Sequence, residues 1–140
     1  MQTFMPVADF KEVAKMLDYR RLGKQRVEAW QILKALNGES KGWLNHPAVL
    51  MWAGYERALM EYGRIVCVEW RERGYNDNML DRFPVQVDVV YPSWLGDPEF
   101  HLSHQANLVR KLPEHYRKFF PTVDETLPYK WPDRNGITNG

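Results

Sequence analysis

Apolar side chains recur along this chain at spacings of three and four, the pattern of helices with one buried face. Val13, Ala14 and Leu17 form a first short stripe, and Asp9 with Glu12 three residues later suits a helix start with a capping box. From Lys24 to Leu36, Val27, Trp30 and Leu33, together with Ala29, Ile32 and Leu36, should face inward, and Asn37-Gly38 supplies the stop. Gly23 costs about 1 kcal/mol inside a helix, which predicts a kink there or two helices meeting within Tyr19 to Gly23. His46-Pro47 opens the next element, because proline suits a first helical turn, and apolar residues at helical spacing continue to Arg73. Gly54 and Gly63 mark breaks or close helix contacts, and Gly74 ends the run. Val85 to Tyr91 has strand composition but nothing to pair with, so Met79 to Pro98 reads as irregular. Asp97-Pro98 begins a helix over Glu99 to Lys111, and Pro113 begins a short turn reaching Phe120. The expectation is an all-α fold, a single compact domain over residues 1–132 of three main helices with long irregular loops, and a frayed tail at 133–140.

Composition narrows the class. Hydrophobic residues make up 44% of the 140 and include six Trp, enough for a core without disulfides. No apolar run approaches the roughly 20 residues that span a bilayer, and the start, MQTFMPVADF, lacks the basic and apolar regions of a secretion signal. With Cys67 as the one cysteine, a cytoplasmic location is expected and no internal disulfide can form. Cys67 itself, between Val66 and Val68, reads as a core residue rather than a nucleophile. His101 and His104 lie three apart, yet no further ligand cluster completes a metal site, so neither metal nor cofactor is expected.

Charge redirects attention to one segment. The net charge is only +1, so an anionic partner must be held by local patches. Within LDYRRLGKQRVEAWQILKAL, Arg20, Arg21, Lys24, Arg26 and Lys34 are answered only by Asp18 and Glu28. Arg21, Lys24, Gln25 and Glu28 follow one helical strip, which is either a solvated face or one wall of a polyanion site where Gln25 reaches a base edge or sugar. A second patch, Arg110, Lys111, His115, Arg117 and Lys118, is interleaved with Tyr116, Phe119 and Phe120. Cations there suit phosphates and aromatic faces suit unpaired bases, although a capped helix end reads equally well. His46 can cap a helix or face the groove, and Ser103 and His104 can line the site or sit on a helix surface.

The motifs DYRRLGKQR, HPAVLMWAGY, ERGYN, SHQANLVRK and HYRKFF, in that order, resemble the phage endonuclease V family of pyrimidine-dimer DNA glycosylases, in a divergent bacterial and phage branch.

The resemblance implies an all-α, metal-free enzyme whose nucleophile is the terminal α-amine, which attacks the sugar C1′, releases the base and leaves a Schiff base for β-elimination. Terminal amines titrate well below lysine, and neighbouring cations such as Arg20, Arg21 and Lys24 favour a neutral amine. It also implies a kinked duplex with a flipped base, and therefore double-stranded DNA as partner; a monomer is expected.

Two positions depart from the family pattern. Gln2 is bulky, which leaves Met1 in place, so the amine belongs to Met1 with Thr3 nearby. Arg21 stands where the family has its glutamate, and Glu28, two helical turns further along the same face, could supply the carboxylate. The expected catalytic set is thus Met1, Thr3, Arg20, Arg21 and Glu28. The expected nucleic-acid contacts are Lys24, Gln25, His46, Ser103, His104, Arg110, Lys111, Tyr116, Arg117 and Lys118. Two other readings stay open: an enzyme on a modified base, nucleotide or RNA, suggested by Trp43, Trp52, Trp94 and Trp131, and a binding module without catalysis.

Overall fold

Two aspartates set the first helices. Asp9 accepts from the backbone N–H groups of Lys11 and Glu12 and starts α1 (Phe10–Met16). Asp18 accepts from Arg21 N–H and starts α2 (Tyr19–Leu36). The computed structural model describes residues 1–39, 42 and 45–132, with the backbone alone at 138–139. The helix boundary falls at Leu17–Asp18, and α2 runs unbroken through Gly23, where a kink was expected. A Cβ on Gly23 would stand 2.9 Å from the Trp70 ring, so this glycine serves a close approach between helices.

The run from Pro47 divides in two. His46 caps the short α3 (Pro47–Leu50), and Gly54, at φ +86°, separates it from α4 (Glu56–Glu72). Gly63 has the other role: a Cβ there would lie 2.4 Å from the Phe83 ring. Helices α2 and α4 form the main helix pair. Asp77 ties them together by accepting from Arg26 Nε at 2.8 Å and Arg71 Nε at 3.3 Å.

The buried stripe of α2 is Leu22, Gln25, Ala29, Ile32, Leu33 and Ala35. Val27, expected to face inward, is 44% exposed, because the helix turns polar Gln25 into the core instead. After a 3-10 turn at Leu80–Arg82 the chain is irregular, as expected, up to Asp97, which caps α5 (Pro98–Lys111). The short α6 (Pro113–Tyr116) follows. Trp131–Pro132 (β1) pairs antiparallel with Thr138–Asn139 (β2), so two residues of the expected frayed tail are backbone-paired. The fold is all-α apart from this pair, as the sequence implied. Among the described residues no helix is long and apolar enough to cross a membrane.

Trp52, Trp94, Tyr62, Tyr116, Phe83 and Phe100 are the largest fully buried side chains. Trp52 and Trp94 meet edge to face at 5.0 Å, which makes both of them packing residues and removes their support for a base-binding loop. Trp43 lies outside the described residues. Cys67 is buried, and burial pushes its thiol up to about 12, as fits a core residue.

Candidate active site

The first six residues run through the interior rather than over it. Thr3, Phe4, Met5 and Pro6 are all buried. Buried backbone groups need partners, and α2 and α5 supply them. Phe4 N–H donates to Gln25 Oε1 at 3.0 Å, from α2. Met5 N–H donates to His104 Nδ1 at 3.0 Å, and Met5 O lies 2.7 Å from His101 Nδ1, both from α5. Trp52 Nε1 donates to Thr3 Oγ1 at 3.0 Å. The segment is therefore laced on both sides, and the chain start is held at a fixed place.

That place is beside Glu28. Gln25 Nε2 donates to Gln2 O at 2.9 Å and to Glu28 Oε2 at 3.0 Å. Glu28 is half-buried, and burial raises its pKa against the opposing pull of the N-terminal charge, Lys24 and the Gln2 N–H. Burial lowers the pKa of His46, and the N-terminal charge adds to that shift. A carboxyl pushed toward neutrality beside an amine is a group able to exchange protons there.

Above them opens a cleft of about 560 Å³ lined by Met1, Gln2, Phe4, Arg20, Arg21, Lys24, Glu28 and Lys111. Four of these eight are cationic side chains. Arg21 is answered by Asp18 at 3.1 Å. Among the described residues no ion pair engages Arg20, Lys24 or Lys111. Arg20 Nε donates to the Tyr19 hydroxyl at 3.0 Å. The positive helix is thus partly consumed, with Arg26 tied to Asp77 and Arg21 to Asp18, and partly free at the cleft.

The structure brings together Met1, Arg20, Arg21, Lys24, Glu28 and Lys111 in the cleft lining, and the other expected residues do not line it. Thr3 is fully buried under the cleft. Gln25, Ser103, His104 and Tyr116 are buried, which corrects the expectation that they touch nucleic acid directly. Each is committed within the protein: Ser103 Oγ donates to Phe100 O at 2.7 Å, and the Tyr116 hydroxyl donates to Asp18 Oδ1 while accepting from Asp18 N–H. Burial pushes His104 down to about 3, so it is a neutral ring. His46 Nδ1 accepts from Ala48 N–H at 3.0 Å, the capping alternative. Arg110 and Arg117 donate to carbonyls of the following segment, Leu127 O at 2.6 Å and Val123 O at 2.8 Å respectively, so they clip that segment down. Lys118 is exposed away from the cleft lining. No cluster of possible metal ligands occurs among the described residues.

Sequence reasoning missed Gln2 and Tyr129. Gln2 Nε2 donates to the Tyr129 hydroxyl, which seats the C-terminal segment against the chain start. Their separation of 127 residues left no local signal.

A family model for pyrimidine dimer DNA glycosylases matches residues 1–83, more than half of the chain, and the protein belongs to this family. No curated protein and no solved structure gives a match. The matched part carries the chain start and α1 to α4, whereas Lys111 and the rest of α5 lie beyond it.

Proposed function

We propose that this DNA glycosylase acts on damaged double-stranded DNA through the α-amine of Met1, with an AP-lyase step after base removal. The amine adds to C1′ of the damaged nucleotide as the bond to the base breaks, and the base leaves with a proton. Loss of the amine proton and ring opening give a Schiff base. Removal of a C2′ proton then expels the 3′ phosphate by β-elimination, and water releases the amine. Glu28 is the group assigned to these proton transfers, and Arg20, Lys24 and Lys111 are assigned to the phosphates.

The observation that carries this reading is the lacing of residues 2–5 to Gln25, His104 and Trp52, which delivers the chain start to a cleft that also holds Glu28. Incubation with an abasic-site duplex and borohydride tests it. A covalent protein–DNA adduct and strand nicking are expected. Base release without any trapped adduct, across several lesions, would remove the amine from the mechanism.

A further inference from the structure

Gln25 is a polar residue in the apolar stripe of α2, with no exposed surface. Its Oε1 accepts from Phe4 N–H at 3.0 Å and from the Tyr62 hydroxyl at 2.5 Å. Its Nε2 donates to Gln2 O at 2.9 Å and to Glu28 Oε2 at 3.0 Å. A primary amide offers two acceptor sites and two donors, and all four are used. Phe4 N–H can only donate and Gln2 O can only accept, so the amide has one orientation. Packing alone would be served by an apolar side chain here; each bond instead goes to the chain start, to Glu28 or to the phenol that anchors the amide.

We infer that Gln25 is a positioning residue for the proposed reaction: one buried amide holds the Glu28 carboxylate and the backbone bearing the N-terminal amine in a fixed relation. The inference rests on the roles proposed above for Glu28 and the amine. The other groups facing Glu28 are the N-terminal charge, Lys24 on its own helix, Tyr62 from α4 and Tyr129 from the C-terminal segment, with Arg20, Arg21 and Lys111 around the cleft. Gln25→Met keeps every one of these residues but releases the Tyr62 hydroxyl and the backbone of Gln2 and Phe4. It removes a donor to the charged carboxylate, so Glu28 should titrate higher.

The test is a carboxyl NMR titration of Glu28, paired with single-turnover borohydride trapping across pH, in wild type, Gln25→Met and Tyr62→Phe. In Gln25→Met we expect the Glu28 titration and the matching limb of the rate profile to move up together by about half a pH unit or more. Trapping at the optimum should slow by about tenfold or more. Tyr62→Phe should move both in the same direction by less. A folded Gln25→Met protein with an unmoved titration and profile would overturn the positioning role. If that variant does not fold, an unmoved Tyr62→Phe overturns it. Wild-type trapping by Glu28→Gln would instead remove the reading of Glu28, and the role of Gln25 with it.

Discussion

Exchanging Glu28 for Gln replaces one carboxylate oxygen by an NH2 group. The carboxylate receives Gln25 Nε2 at 3.0 Å and the Gln2 backbone N–H. The new NH2 group can only donate, so a donor that reaches that oxygen in the carboxylate loses its acceptor. Leaving a buried donor unmet costs about 1–3 kcal/mol, which for a chain of this size lowers Tm by roughly 3–10 °C. Losing a general acid or base slows the reaction by about 10²–10⁴. The two effects are of similar energy, since 10² in rate is about 2.7 kcal/mol, so they must be measured apart. Thermal unfolding gives the first. Single-turnover nicking of an abasic duplex, well below the Tm of the variant, gives the second. A lowered Tm with an unchanged rate would show that Glu28 only fastens the chain start, and the assignment of proton transfer to it would be wrong.

Other outcomes follow from the same contacts. His104 is neutral in the folded protein, with its pKa pushed down from 6.5 to about 3, and protonates more readily when unfolded. Its contribution to stability is therefore present above about pH 6.5 and lost as pH falls toward 3, at up to about 1.4 kcal/mol per pH unit. His104→Asn keeps an acceptor for Met5 N–H and should flatten the acid limb of a urea-unfolding series by about one proton. Lys24→Ala and Lys111→Ala should each weaken duplex binding and reduce the slope of log affinity against log salt by about 1; an unchanged slope would place the DNA elsewhere. Gly63→Ala sets a methyl against the buried Phe83 ring and should cost about 1–3 kcal/mol in chemical denaturation without changing the pH profile.

Much of the fold was legible because it is local. Asp9, Asp97 and His46 cap helices where their neighbours in sequence said they would. The site was legible only in part. The concentration of charge near Arg20 and Lys24 pointed to the cleft, but the sequence could not show that Asp18 and Asp77 neutralise Arg21 and Arg26. Periodicity misplaced Val27 and Gln25 because Gln25 is buried by partners more than twenty residues away. The second basic patch looked like a DNA grip, yet Arg110 and Arg117 hold carbonyls of a segment whose path no local pattern reveals. Its remaining member at the cleft, Lys111, joins the first patch through the tertiary fold.

The most direct measurement is to map the borohydride-trapped adduct by peptide mass spectrometry. The account predicts one deoxyribose remnant on the α-nitrogen of Met1, and loss of the adduct when a short peptide is fused ahead of Met1. A remnant on the side chain of Lys24 or Lys111, with trapping undiminished by the fusion, would contradict it.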